Sequence, residues 1–251
     1  LGVRDKFGGD KIFYYGGGGQ GNHLPGGYAA AFRHVLGSWY RSNAIAQEKT
    51  GEFWVNSHMF GGNVRGDFEH CDVALFIGKN PWHSHGIPRA RAFLREISKD
   101  DSRKLVVIDP VVTETAVLAD IHLQVKPGRD AWLMAAMVAM VVQQRNYKEA
   151  WLSQYSNGLP IILEAFSRIP IPEYCKHAGI PVSTVEKVVK YLIEAKGASI
   201  FEDLGIQMNL NSTLTSYLEK LLWVLCGHYG KPGAQYIPTS LLNILGSGRS
   251  S

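Results

Sequence analysis

Three short apolar runs recur between Asp72 and Asp130, and each is closed by a polar loop. Asp72 to Ile77 leads into Gly78-Lys79-Asn80-Pro81-Trp82-His83, Lys104 to Ile108 into Asp109-Pro110, and Ile121 to Val125 into Lys126-Pro127-Gly128. A basic amphipathic segment, Pro88 to Ser98, separates the first two runs. This alternation of strand, loop, helix and strand predicts an α/β fold with a doubly wound, mostly parallel sheet flanked by helices. In such sheets the loops at the carboxyl ends of the strands form the ligand crevice.

The rest of the chain extends the pattern. Lys11 to Tyr15 reads as a strand, followed by GGGGQGN, and Tyr28 to Leu36 as a helix. Residues 41 to 70 lack clear periodicity and carry Gly51, Gly61, Gly62 and Gly66, so they read as a long, irregular, ligand-facing loop region. Asp130 to Gln143 reads as a buried helix, since its apolar stretch is shorter than the roughly 20 residues a membrane span needs. Ser183 and Glu186 have capping-box spacing, and Val185, Val188, Val189, Leu192 and Ile193 form a helical stripe ended by Gly197. Ala198 to Glu202 is a further strand and Thr213 to Cys226 a last helix, stopped by Gly227 and the turn at 230–233.

The net charge is +4 and the basic residues are scattered, which suits a solvated surface rather than a nucleic-acid footprint. Cys71, Cys175 and Cys226 lie far apart, so no zinc or iron–sulfur site is expected from this chain alone.

Gly16, Gly18 and Gly21 fit GxGxxG between a strand and a helix, and Asn22 follows. A nicotinamide fold also needs an acidic residue about 20 positions on to hold the ribose. No Asp or Glu occurs between Asp10 and Glu48, which argues against that cofactor. Backbone contact with a phosphate or pterin and a merely tight turn remain two open readings.

The loop after Ile77 has the chemistry of a polar-ligand site. Gly78 permits close approach, Lys79 can neutralise phosphate, and Asn80 offers both a donor and an acceptor. His83 and His85 lack metal-ligand spacing and carboxylate company, and read as outer residues of the loop. Asp109 can accept from ribose hydroxyls, Pro110 stops its strand, and Thr113 and Thr115 add hydroxyls. Asp130 can accept from the N1 and N2 donors of guanine, or satisfy the open amides of its own helix; one side chain can do both.

These segments resemble the molybdopterin oxidoreductases, the family of dimethyl sulfoxide reductase and formate dehydrogenase. The resemblance rests on Gly78-Lys79-Asn80-Pro81, on Asp109-Pro110 with Thr113-Glu114-Thr115, and on Ala119 to Asp130. Phe201 to Gln207, with Gly205 and Gln207 in a strand-end loop, and Cys226 to Gly233 add to it. It implies that Gly18, Gly21, Asn22, Gly78, Lys79, Asn80, Pro81, Trp82, His83, Asp109, Pro110, Thr113, Thr115, Lys126, Gly128, Asp130, Gly205 and Gln207 bind a bis-molybdopterin guanine dinucleotide with molybdenum or tungsten. Where many relatives place arginine after the Asp-Pro, this chain has Val111 and Val112; Lys126 or Arg129 offers a substitute charge.

By the same resemblance the protein metal ligand falls near Gln47-Glu48-Lys49, where Glu48 is the anionic candidate. Lys49 and His58 are candidate proton carriers beside the substrate. The implied reaction is two-electron redox or oxo transfer on a small molecule, with electrons leaving through a [4Fe–4S] cluster in an amino-terminal segment to a partner protein or subunit. The chain opens on Leu1 and reads as the central part of a longer cytoplasmic protein, with the periplasm left open. The expected organisation is residues 1–40 in one cofactor-binding lobe, 41–197 as the dinucleotide-binding domain, and 198–251 returning to the first lobe. A tungsten hydratase acting without redox and a structural electron-transfer subunit that has lost the pterin are the competing readings.

Overall fold

The computed structural model describes residues 1–16 and 24–239, without the side chains of residues 24–27 and Ala46. Gly18, Gly21 and Asn22 of the glycine-rich loop lie outside the described residues. The chain divides into two compact units, one built on Leu1–Thr50 and one on Gly51–Pro238. In the first, the strand Tyr14–Tyr15 pairs in parallel with Arg41–Ser42, and the helix Leu24–Leu36 joins them. The strand expected from Lys11 is shorter because Gly9–Lys11 winds into a 3₁₀ turn.

The second unit carries the expected parallel sheet. Its strands are β1 (Val73–Ile77), β2 (Lys104–Ile108), β3 (Ile121–Leu123) and β4 (Ala198–Glu202), in the spatial order β3-β2-β1-β4. All three pairings are parallel. Every residue of β1 is buried. Because strand side chains alternate, its continuous apolar run feeds two cores. Val73, Leu75 and Ile77 join Val106, Ile108 and Ile200 on one face. Ala74 and Phe76 join Leu105 and Val107 on the other, beneath Phe93, Leu94 and Ile97 of the helix Ala90–Ile97.

The first core is the larger. Helix Asp130–Gln143 is buried nearly all round, and helices Ser212–Leu225, Ile171–Ala178, Leu159–Ser167 and Val182–Glu194 pack against it. This explains an apolar stretch too short for a bilayer: it is the central helix of a layer. No helix of the described residues is long and apolar enough to cross a membrane.

Three expectations need correction. Residues 41–70 are not all loop, since Thr50–Phe60 is a helix; its buried face includes Gly51, Glu52 and Asn56, which masks the periodicity. Ser183 does not cap its helix. The helix starts at Val182 after Pro181, whose extended backbone sets the entry, and no side-chain cap bond forms. The boundary placed at residue 197 is crossed by the sheet, because β4 pairs with β1 along its whole length.

Chain order places β2 and β3 on one side of β1 and β4 on the other, so the order of strand addition, not the strand direction, reverses between β1 and β4. There Gly78 and Gly205 meet backbone to backbone, and Gly205 N donates to Gly78 O at 3.1 Å. Gly78 has φ +56°, and a Cβ added to it would lie 2.8 Å from the Gly205 Cα. Gly78→Ala is therefore expected to lower unfolding free energy by about 2–4 kcal/mol in urea titration, combining left-handed strain with overlap. Gly128 has φ +74° but open space around it. Gly128→Ala should cost only about 1 kcal/mol. Equal losses at both positions would deny the close approach.

Candidate functional site

At the reversal, the loops leaving β1 and β4 are tied three ways. Asp203 N donates to Ile77 O at 3.1 Å, beside the Gly205 to Gly78 bond. The Lys79 ammonium is buried, pairs with the Asp203 carboxylate, and lies 4.8 Å from the centre of the Phe201 ring. The sequence points Lys79 at phosphate; its charge is instead committed inside the fold, where an unpaired ammonium would be costly.

Asn80 is similarly engaged. Thr115 Oγ1 donates to Asn80 Oδ1 at 2.6 Å, and Asn80 Nδ2 donates to Glu114 Oε2 at 2.8 Å. Glu114 Oε1 lies 2.9 Å from His83 Nε2. His83 thus has the carboxylate partner that its sequence neighbourhood lacks. The His83 contact, with bonds from the Glu114 amide and Asn80, holds the Glu114 carboxyl down at about 2. Thr113 caps the helix Glu114–Val117, accepting from Ala116 N. Thr113, Glu114 and Thr115 therefore brace the loop 78–84 from the strand-end loop next to it. Trp82 packs its indole beneath the guanidinium groups of Arg91 and Arg95, at 5.5 and 5.0 Å.

Beside this brace a cleft of about 580 Å³ opens between Gly78, Pro110, Pro127–Asp130, Gly205 and residues 208–211. Asp130 begins the helix Asp130–Gln143, where the free amides of a helix start favour an anion. Its carboxylate is buried, with one oxygen accepting from Asn209 Nδ2 at 3.0 Å. Burial pushes the Asp130 carboxyl up to about 6; its own amide and Asn209 oppose the rise, and nearby Asp109 adds to it. Asp109 Oδ1 accepts from Val111 N at 2.9 Å, and the Asp109 carbonyl is 2.8 Å from His122 Nε2. Lys126, Arg129, Lys176 and His177, with Glu173, surround an adjoining opening, and Arg129 lines both.

A family model for molybdopterin oxidoreductases matches residues 6–244. The chain belongs to that family. A subunit of the tungsten-containing formylmethanofuran dehydrogenase 2 of Methanocaldococcus jannaschii is 31% identical over 189 residues, covering 67% of this chain and 37% of the relative. Formate dehydrogenase H of Escherichia coli is 24% identical over 245 residues, covering 94% and 33%. The fold matches acetylene hydratase from Pelobacter acetylenicus with a TM-score of 0.79 at 22% identity, over 94% of this chain and 32% of that one. The chain thus spans about a third of the length of these relatives.

Within this molybdopterin oxidoreductase domain, the residues named from sequence separate into groups. Gly78, Pro110, Gly128, Asp130 and Gly205 line the cleft, while Asn80, His83, Thr113 and Thr115 brace its loops. Gln207 is buried away from it, with Oε1 accepting from Glu52 N and Nε2 donating to Ser216 Oγ. Glu48 ends the short helix Ile45–Glu48 of the first unit, and Lys49 follows it. His58 stacks on Trp54, its Nδ1 2.7 Å from the Trp54 carbonyl. No group of three or more His, Cys, Asp or Glu side chains suited to a metal ion occurs among the described residues. Sequence reasoning missed Asp203, Asn209 and the brace role of Glu114. Only the pair of asparagines, Asn209 and Asn211, just before a helix, hinted at Asn209.

The Asp130 environment fixes a pH dependence. Its folded value lies above the ordinary 3.8. The folded protein thus holds a proton that the unfolded chain releases between about pH 4 and 6. This contribution to stability is complete below about pH 4 and lost as pH rises through about 6. Asp130→Asn should therefore raise unfolding free energy by roughly 1–3 kcal/mol at about pH 7.5, with the gain vanishing at about pH 4. Urea titrations at the two pH values check it; an equal difference at both would assign the effect to something other than ionisation.

Proposed function

We propose that the cleft at the β1/β4 reversal binds the guanosine end of a molybdopterin guanine dinucleotide, within a larger molybdenum or tungsten enzyme that carries out two-electron redox or oxo transfer on a small substrate. The buried Asp130 carboxylate carries the reading. It sits at a helix start beside two loops joined through glycine backbone, and Asn209 takes one of its oxygens. A carboxylate accepts two parallel N–H bonds, and guanine offers that pair on its N1 and N2 edge. Asp109, which follows β2 and lies near Asp130, is suited to ribose hydroxyls, and Arg129 with Lys126 to phosphate. The donor set thus fits the group: acceptors toward base and sugar, cations toward the charged linkage.

The cofactor supplies the metal-centred electron chemistry, and this chain contributes binding and orientation. The brace from Glu114 to Asn80 and His83 keeps the loop in register, while the Lys79–Asp203 pair keeps the loops closed against each other. That relatives named for formate, nitrate and formylmethanofuran all match this chain supports a part that holds the cofactor rather than one that selects the substrate. Glu48 as an anionic metal ligand, Lys49 and His58 as proton carriers, and an iron–sulfur cluster with a partner subunit belong to the same proposal.

Guanosine carries no titrating phosphate, so its binding reports on Asp130. Calorimetric titration should show affinity falling about tenfold as pH drops from about 7.5 to 5, because a protonated carboxyl accepts one bond fewer. Asp130→Ala should weaken binding about 10- to 100-fold and abolish the pH dependence. Unchanged affinity in that variant would remove Asp130 from the site and with it the guanine reading.

A further inference from the structure

The four arginines between Pro88 and Lys104 are held in two different ways. Arg89 pairs with Glu69 and Glu96, and Arg103 donates to the carbonyls of Cys71 and Phe68. Arg91 and Arg95 lie one turn apart on the exposed face of helix Ala90–Ile97, and neither pairs with a carboxylate among the described residues. Both instead lie over one indole, that of Trp82, at 5.5 and 5.0 Å from its centre. Arg91 Nε also donates to the Trp82 carbonyl at 2.7 Å. The nearest acids are already engaged, Glu96 by Arg89 and Glu114 by His83.

Two like charges held over one ring repel each other, and the electron-rich ring face offsets only part of that cost. Their platform is also fixed in place. Trp82 N donates to Thr115 Oγ1 at 3.3 Å, Thr115 donates to Asn80, and Asn80 to Glu114. Long surface side chains normally lose rotamer freedom when a partner binds; these two arginines have given up much of it beforehand. Val117, three residues after Glu114 and so on the same side of that short helix, is 71% exposed beside the platform. An indole, two ordered guanidiniums without counterions and an exposed aliphatic group are a combination suited to a protein interface, where tryptophan and arginine dominate binding. The outer face of a helix is convex and does not enclose a small molecule. Glu69, Glu96 and Glu114 border the pair and would repel the continuous phosphate chain of a nucleic acid, whereas separate carboxylates fit between them.

We propose that Trp82, Arg91 and Arg95 form a docking face for a protein partner that presents two carboxylates, one to each guanidinium. Sequence motif points Trp82 at the cofactor; in the structure neither it nor the two arginines line the cleft. The inference is therefore independent of the dinucleotide reading.

The test is fluorescence anisotropy of a labelled glutamate homopeptide, titrated at low salt with the intact protein that contains this chain. Saturable binding is expected, weakened about tenfold or more in the double variant Arg91→Gln/Arg95→Gln. The double variant Arg145→Gln/Arg168→Gln removes the same charge from other exposed positions and should leave the affinity unchanged. Trp82→Ala keeps both charges but removes their platform, and should weaken binding several-fold in a protein that circular dichroism shows to be folded. Equal losses in the two arginine double variants would reduce the effect to net charge and overturn the proposal. Absence of saturable binding would overturn it too. So would a thymidine oligonucleotide of the same length that binds more tightly than the peptide and depends on Arg91 and Arg95, which would assign the face to nucleic acid.

Discussion

The loops that leave β1 and β4 touch through bare backbone at Gly78 and Gly205, and the polar architecture follows from that contact. Side chains at these positions would force the loops apart, and the sheet would lose its tight reversal. With the loops joined, the next residues on each, Lys79 and Asp203, are brought into one buried ion pair. Removing either partner would leave a lone buried charge, which is far worse than having neither. The pair therefore acts as a lock on an arrangement that the glycines make possible.

Around this seam the molecule separates groups that hold the site from groups that can meet a ligand. Asn80, Glu114, Thr115 and His83 satisfy one another and stiffen the loop. Asp130 is held by Asn209 and by its own backbone amide, in surroundings that penalise its charge. A buried carboxylate held close to its titration range is a poor device for stability and a good one for recognition. Placement on a rigid helix start, rather than on a loop, fixes where that recognition occurs.

Much of the scaffold was legible in the chain. The runs at 73–77, 104–108 and 198–202 are apolar enough to declare buried strands, and the apolar stretch after Asp130 declares a buried helix. Helix Thr50–Phe60 was not legible, because a buried face that carries glycine, glutamate and asparagine has no apolar stripe. The loops that carry the site could be named from their motifs, but their roles could not. Lys79 and Asp203 are 124 positions apart, and Asp130 and Asn209 are 79 apart. Local spacing carries no trace of such pairs, so Lys79 reads as a phosphate ligand until the fold shows its partner. Gln207 is a similar case: its motif points to the cofactor, while its amide is engaged in the buried network beside Glu202.

The most direct test of the cofactor assignment is the metal and guanine-nucleotide content of the intact protein that contains this chain, purified without oxygen from a host that makes molybdopterin. Molybdenum or tungsten near one per chain, with about two guanine nucleotides released by acid, is the expected result for a bis-dinucleotide site. A folded protein from the same host with neither metal nor nucleotide would contradict it, and would make this domain a scaffold that keeps the fold without the cofactor.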